Sequence, residues 1–159
     1  MATAYVGIGS NLGEPRRQIE SALEALGRLP RTRLLLCSSV YRSAPEGRSD
    51  QPDFLNAVAR LATRIAVEPL LDELQGIERR HGRERSFANA PRTLDLDLLL
   101  YDGRVLDTPR LTLPHPRMHQ RAFVLAPLAQ IAPEAVVPGH GRAANLLAAC
   151  LEQRCERIP

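Results

Sequence analysis

Two aspartates interrupt the most apolar segment of the sequence, PRTLDLDLLLY at residues 91–101. Asp95 and Asp97 are two residues apart, and in a β-strand this spacing points both side chains to the same face. Carboxylates about 6.5 Å apart along a strand are close enough to bind one or two hard cations together. A pair of metal ions would also neutralise the two like charges. The alternative is a solvated strand face on which aspartate and leucine simply alternate.

Arginine side chains surround this pair in the sequence and favour a phosphate-binding role. A guanidinium group binds phosphate through two parallel hydrogen bonds, so metal ions and arginines together indicate a nucleotide. All 21 basic residues of the chain are arginine, which excludes a P-loop lysine and a Schiff-base lysine. In a chain whose basic residues are all arginine, some arginines will lie near the pair by chance, and we interpret Arg117 in this way. The flanking arginines are Arg83, Arg85, Arg92, Arg110, Arg117 and Arg121.

Other residue types in the sequence suit a ligand less specifically. His115 lies between two prolines, which argues against a helical zinc pair with His119 and favours a hydrogen-bond donor to phosphate. Phe54 and Phe123 stand beside polar motifs, where they either pack in the core or stack on a flat ring. The glycines at positions 7, 9 and 13 miss the dinucleotide-binding spacing by one residue, and we interpret them as a tight turn that could also line a ligand.

Length and composition indicate one globular domain spanning residues 1–159. The chain is 44% hydrophobic and 25% charged, with a net charge of +3. No apolar run approaches the roughly 20 residues that a membrane span needs, and the first residues lack a signal-peptide pattern. We therefore expect a cytoplasmic protein without a membrane partner. Its three cysteines have no metal or disulfide spacing.

The elements that must position these residues follow from apolar periodicity and from Pro and Gly signals. Their predicted order is strand, helix, strand, strand, helix, strand, followed by two further helices. This is the split βαβ, ferredoxin-like arrangement of an α+β protein, with an antiparallel sheet, helices on one face and the other face free for a site. The Asp102-Gly103 pair predicts a hairpin from the acidic strand into residues 104–106. The predicted strands are residues 4–8, 33–41, 54–63 and 91–101, and the predicted helices are residues 15–29, 70–81, 120–130 and 143–154.

Five motifs, taken in order, resemble one known family. They are GSNLG, YRSAPEG, DQPDFLNA, PRTLDLDLLLY and LTLPHPRMHQRAFVLAPLAQIAPE. Together they are similar to the 6-hydroxymethyl-7,8-dihydropterin pyrophosphokinases of folate biosynthesis, over nearly the whole chain. The resemblance implies a ferredoxin-like fold and transfer of pyrophosphate from ATP to the hydroxymethyl group of a reduced pterin, with AMP as the second product.

The resemblance also implies roles for individual residues around ATP and two Mg²⁺ ions. Asp95 and Asp97 would hold both ions. Contacts to the triphosphate are implied for Arg92, Arg121 and His115, a further nucleotide contact for Arg110, and closure over the reacting groups for Arg83 and Arg85. Adenine and ribose contacts are implied for Gln75, Glu78, Leu98 and Thr112. The pterin would stack between Phe54 and Phe123, with further contacts from Asn56, Ser43, Pro45 and Glu46.

Two other function classes remain open from the residues themselves. A ferredoxin-like nucleic-acid-binding module would need exposed aromatic residues on its central strands, but LDLDLLL is acidic and has none. A metal-dependent phosphohydrolase would use the same acidic pair with water as the acceptor. We favour the pyrophosphokinase, which needs ATP and a pterin but no nucleic acid, and we expect it to be a monomer.

Overall fold

One antiparallel sheet organises the chain, of which the computed structural model describes residues 1–45, 51–81 and 94–159. Its strands lie in the order β10, β3, β4, β1, β5, and β2 pairs with β4 beside β3. The strands are β1 Ala2–Ser10, β2 Thr32–Cys37, β3 Tyr41–Ser43, β4 Phe54–Thr63, β5 Asp95–Tyr101, β6 Leu106–Asp107, β7 Thr112–Leu113, β8 Val136–Val137, β9 Gly141–Arg142 and β10 Cys155–Arg157. The helices are α1 Pro15–Gly27, α2 Val67–Arg80, α3 Ala122–Ile131 and α4 Ala143–Ala148, and a 3₁₀ turn spans Met118–Gln120.

Both faces of the sheet carry apolar side chains, and this decides where the helices pack. On β1, Val6 and Ile8 join a core with the buried faces of α1 and α2. Tyr5 points to the opposite face, where it joins Val58, Leu99 and residues of α3. This alternation is what period-two side-chain geometry requires of a central strand. The predicted α+β sandwich, with helices on one face and C-terminal helices in addition, is confirmed.

Several predicted element boundaries were wrong. The predicted strand 33–41 is divided into β2 and β3 by a break at Ser38, whose hydroxyl accepts a hydrogen bond from the Val58 N–H at 2.9 Å. The turn after β5 forms, with Asp102 at φ 51°, but no returning strand pairs with β5, because Leu106 pairs with Leu113 instead. The last predicted helix ends at Ala148, and β10 then pairs with β3.

Helix α2 starts at Val67, so that Pro69 lies inside the first turn, where a missing N–H costs no intrahelical bond. No helix in the described parts of the chain combines the length and the apolarity needed to cross a membrane.

Candidate active site

A cavity of about 170 Å³ opens on the α3 side of the sheet, over the ends of its central strands. Main-chain and side-chain atoms of β1, β3, β4, β5 and α3 line it. The predicted site residues in this lining are Ser43, Phe54, Asn56, Asp95, Asp97, Arg121 and Phe123. Residues separated by up to 80 positions in the sequence are therefore brought to one place by strand pairing and by the packing of α3 on the sheet.

The floor of the cavity is formed by two glycines of β1. Gly9 pairs with Asp95 on one neighbouring strand and with Asn56 on the other. Gly7 pairs in the same way with Asp97 and Val58. Directly opposed residues of antiparallel strands share a face, so the two glycines leave open the strip between the carboxylates and β4.

The packing around Gly9 shows how closely this strip is bordered. A Cβ atom at Gly9 would lie 3.4 Å from the Asn56 Oδ1 and 3.8 Å from the Phe54 Cδ1. The interpretation of the glycine motif as a tight turn was therefore wrong for Gly7 and Gly9, which are inside β1. Of the three glycines, only Gly13 has the positive φ, 67°, that a glycine-requiring turn uses.

Asp95 and Asp97 are both half-buried and both line the cavity. Their neighbours Leu96 and Leu98 point to the opposite face, where they are 5% and 3% exposed in the core. Among the described residues, no group of three or more His, Cys, Asp or Glu side chains could enclose a metal ion. A carboxylate pair suits Mg²⁺ because this ion is commonly held by one or two carboxylates together with substrate phosphates and water.

The positive side of the cavity is formed where α3 begins. Arg121 is the residue between the 3₁₀ turn and α3, and its guanidinium carbon lies 5.2 Å from the centre of the Phe123 ring. This distance is within the range of a cation–π contact. One side chain that can bind phosphate and one flat apolar ring therefore lie together in the cavity that the aspartates also line.

His115 is electrostatically coupled to this wall. Burial lowers the pKa of His115 from 6.5 to about 4, with Arg121 adding to the effect and Asp95 opposing it. The Arg117 N–H donates to the Nδ1 of His115 at 3.3 Å, which places the remaining ring proton on Nε2. A neutral ring with an Nε2–H group is a hydrogen-bond donor that does not add a further positive charge beside Arg121.

The opposite wall is held by side-chain hydrogen bonds. The Asn56 Nδ2 donates to the Ser43 Oγ at 2.8 Å, and both residues are buried. The cavity lining also includes Gln51 and Ala44, which sequence reasoning missed although both lie inside the quoted motifs. Gln51 is fixed by Asn11, whose Nδ2 donates to the Gln51 Oε1 at 3.0 Å. Pro45 follows directly after Ala44 but is not part of the lining.

A second group of predicted residues lies outside the cavity, near α2 and β7. Arg110 forms an ion pair with Asp72 of α2 and contacts the Gln75 Oε1 at 3.4 Å. Thr112, in β7, is half-buried. The structure thus brings Arg110 and Gln75, two of the predicted nucleotide contacts, to the same edge of the molecule.

Glu78 and Leu98 belong to the same predicted set, but their side chains are in the interior. Glu78 is 3% exposed, and its Oε2 accepts a hydrogen bond from the Leu96 N–H at 2.7 Å. The side chain of Leu98 is in the core between the sheet and its helices. The Glu78 carboxylate thus supports β5 from behind the strand that carries the aspartates.

Four predicted site residues lie outside the described parts of the chain: Glu46, Arg83, Arg85 and Arg92. Their assignments stay predictions.

Solved structures share this fold. A Plasmodium falciparum HPPK-DHPS structure with pteroate aligns with a TM-score of 0.76 over 95% of this chain at 12% identity. An HPPK-DHPS complex with substrates aligns with a TM-score of 0.72 over 95% of this chain at 13% identity. The chain spans 42% and 44% of the lengths of those two proteins, and at such identities the likeness concerns the fold alone. Fold and site define the class: a ferredoxin-like α+β domain with an acidic cavity on one sheet face.

Sequence comparison gives the family. The model of the 7,8-dihydro-6-hydroxymethylpterin-pyrophosphokinase (HPPK) family matches residues 5–133. A 2-amino-4-hydroxy-6-hydroxymethyldihydropteridine pyrophosphokinase of Pseudomonas aeruginosa is 52% identical over 155 residues, covering 98% of this chain and 96% of that protein. The protein of the same name from Haemophilus influenzae is 49% identical over 138 residues, covering 87% and 86% of the two chains. The chain belongs to the HPPK family, and the resemblance inferred from its motifs is confirmed.

Proposed function

We propose that this chain transfers the terminal pyrophosphate of ATP to the hydroxymethyl group of 6-hydroxymethyl-7,8-dihydropterin in folate biosynthesis, with the cavity on the α3 side of the sheet as its active site. Family membership supports the reaction. The observation that carries the assignment of the site is the pair Asp95 and Asp97, which faces the open strip of Gly7 and Gly9 in one cavity with Phe54 and Phe123.

Asp95 and Asp97 are proposed to hold two Mg²⁺ ions. The fit rests on their donor chemistry and on their shared position at the cavity, since hard carboxylate oxygens suit this ion. When bound, such ions offset the negative charge of a triphosphate and align it with its acceptor. Phosphate oxygens and water would complete the coordination of each ion.

The reaction balances as one substitution at phosphorus. The hydroxymethyl oxygen forms a bond to the β-phosphorus, the bond from that phosphorus to the α,β-bridging oxygen breaks, and AMP leaves with the bridging oxygen. The hydroxyl proton is released. Arg121 and Arg92 are proposed to offset the charge that builds up on the phosphates, and the neutral His115 to donate a hydrogen bond to them. These side chains contribute alignment and electrostatics rather than covalent chemistry.

The remaining residues are assigned to the pterin, to closure over the reacting groups, and to the adenine and ribose of ATP. The pterin is proposed to stack between Phe54 and Phe123, with Asn56 hydrogen-bonded to its amide edge. Ser43, Pro45 and Glu46 would contribute from the second loop, and Arg83 and Arg85 would close over the reacting groups. The adenine and ribose contacts are proposed to come from Gln75, Glu78, Leu98, Arg110 and Thr112.

For the molecule as a whole we propose one catalytic domain over residues 1–159, acting as a cytoplasmic monomer without nucleic-acid or membrane partners. A nucleic-acid partner is not expected, because β5 presents the acidic side chains of Asp95 and Asp97 where a ferredoxin-like nucleic-acid module would present aromatic ones.

Product analysis tests the proposed function. The protein is incubated with ATP, Mg²⁺ and 6-hydroxymethyl-7,8-dihydropterin, and AMP is separated from ADP by ion-exchange chromatography. We expect AMP and the pterin diphosphate in equal amounts, both dependent on the pterin. ADP would indicate ordinary phosphoryl transfer, and pterin-independent AMP with free pyrophosphate would indicate a phosphohydrolase. Either result would overturn the proposal.

A further inference from the structure

Arg121 occupies a junction between two short helical segments. The 3₁₀ turn ends at Gln120 and α3 begins at Ala122, while Arg121 itself has an extended backbone with φ −115° and ψ 109°. Such a junction leaves a terminal carbonyl on one side and a first-turn N–H on the other without partners inside their own helices. The direction of the Arg121 side chain depends on how these two peptide groups are held.

The side chain of Gln153 bonds to both groups. Its Oε1 accepts a hydrogen bond from the Ala122 N–H at 2.9 Å, and its Nε2 donates to the Gln120 carbonyl at 2.7 Å. One carboxamide therefore bridges the two residues on either side of Arg121. It supplies the acceptor and the donor that the break between the helices requires.

Gln153 is itself held in place by the chain that follows α4. Its N–H donates to the Cys150 carbonyl at 3.1 Å, and Cys150 is 5% exposed. Two residues later the Cys155 Sγ donates to the Ala122 carbonyl at 3.7 Å, and β10 begins its pairing with Ser43 of β3. The bridge from Gln153 therefore starts from a segment that is tied to the same sheet edge as the cavity.

We infer that Gln153 is a positioning residue for Arg121, which it acts on through the backbone at the start of α3. This inference rests on the proposed role of Arg121 at the phosphates of ATP. Arginine has a long and flexible side chain, so an Arg121 backbone fixed on both sides reduces the orientations that must be lost when phosphate binds. Gln153 is on the exposed C-terminal turn and is not part of the cavity lining.

Two substitutions separate the hydrogen bonds of Gln153 from its bulk. Gln153→Met keeps the length of the side chain and removes both bonds, while Gln153→Glu keeps an acceptor for Ala122 and removes the donor. We expect kcat/KM for ATP to fall about tenfold in Gln153→Met and by less in Gln153→Glu, with KM for the pterin within about twofold of the parent value. A tenfold loss corresponds to about 1.4 kcal/mol.

Gln130, at the C-terminal end of α3, offers a matched control. Its Oε1 accepts from the Ser39 N–H and from the Tyr41 hydroxyl, both at 2.9 Å. Gln130→Met therefore also removes hydrogen bonds between α3 and the rest of the molecule, but at the end of the helix opposite to Arg121. We expect it to lower the melting temperature and to leave kcat/KM for ATP unchanged.

A double-mutant cycle with Arg121→Ala decides between positioning and general stabilisation. If Gln153 acts through Arg121, Gln153→Met causes no further loss of kcat/KM once Arg121 is alanine. A second tenfold loss in that background, or a Gln153→Met protein with a lower melting temperature but parental kcat/KM, would overturn the inference. Parental kcat/KM in Arg121→Ala alone would instead refute the proposed role of Arg121. Absence of pterin-dependent AMP from the parent protein would refute the proposed function itself.

Discussion

Asp95 and Asp97 place two negative charges on one face of β5, next to a cavity rather than in open solvent. Like charges at this spacing repel each other, and this repulsion opposes folding of the metal-free protein. Their neutralisation by bound cations and the attached phosphates gives the arrangement a functional reason. At the scale of the residue, the pair is therefore expected to matter for turnover far more than for folding.

Replacement of either aspartate by asparagine tests this expectation. We predict that Asp95→Asn and Asp97→Asn each lower kcat by about a thousandfold, which corresponds to ~4 kcal/mol of activation free energy. Each substitution removes a charged ligand of the proposed Mg²⁺ ions, which offset the charge of the phosphates. Both variants should keep the parental fold, as measured by far-UV circular dichroism. Asp107→Asn, on the exposed β6, is the control with parental kcat. Activity retained in both cavity variants would refute the metal assignment.

His115 predicts a pH dependence of stability in the metal-free protein. Because burial lowers its pKa from 6.5 to about 4, the unfolded state binds this proton more readily than the folded state between those values. The contribution of His115 to the free energy of unfolding should therefore be fully present above pH 6.5 and should be lost as the pH decreases towards 4. After allowance for the partial solvent exposure of the ring, the loss is roughly 2 kcal/mol.

Urea denaturation at several pH values measures this loss. His115→Asn removes the titrating group, so its free energy of unfolding should decrease less steeply than that of the parent protein over the same interval. Equal slopes for the two proteins would show that His115 is not held neutral.

At the scale of the element, β1 contributes space rather than side chains. Gly9→Val is predicted to raise KM for the pterin at least tenfold, because its side chain would extend into the strip between Asp95 and Asn56. The nearest atom to a Cβ at this position is the Asn56 Oδ1 at 3.4 Å, so the melting temperature of Gly9→Val is measured as well, to separate a blocked site from a disturbed fold. Gly27→Ala, at the end of α1 with open space around its Cβ, should leave KM unchanged. A parental KM in Gly9→Val would place the pterin elsewhere.

The contact between α2 and β5 gives a second prediction at this scale. Glu78→Ala leaves the buried Leu96 N–H without this acceptor, which should lower the free energy of unfolding by about 2 kcal/mol. Glu78→Gln keeps an acceptor and should lose less, and Glu73→Ala, at a half-buried position on the same helix, serves as the control. Urea denaturation gives the free energies, and steady-state kinetics gives KM for ATP. A KM raised more in Glu78→Gln than in Glu73→Ala would support the ribose or adenine contact that the family resemblance implies.

At the scale of the whole molecule, one sheet serves two cores. β1, β4 and β5 supply residues both to the core with α1 and α2 and to the core with α3. Neither core can lose its strands without exposing the apolar side chains of the other. We therefore predict one cooperative unfolding transition in urea, with tyrosine fluorescence and far-UV circular dichroism giving the same midpoint. Two separated midpoints would contradict a single domain.

Features that depend on interactions between residues close in the sequence could be predicted, and features that depend on contacts between distant segments could not. The order of the main elements and the common face of Asp95 and Asp97 could be predicted, because the periods of strands and helices are fixed by local backbone geometry. The motifs added the family. Predictions from loop and turn residues were less accurate. The Asp102-Gly103 turn forms, but the segment after it pairs with β7 and not with β5.

Only the tertiary structure decided which residues surround the acidic pair. Gly9 faces Asp95 because of the register between β1 and β5, and Glu78 supports Leu96 because α2 packs behind that strand. Gln153 reaches the residues beside Arg121 across about thirty positions of chain, after a helix that is shorter than its composition predicts. A sequence fixes the spacing of neighbouring residues along a strand or helix, whereas contacts between distant segments depend on the packing of the whole chain.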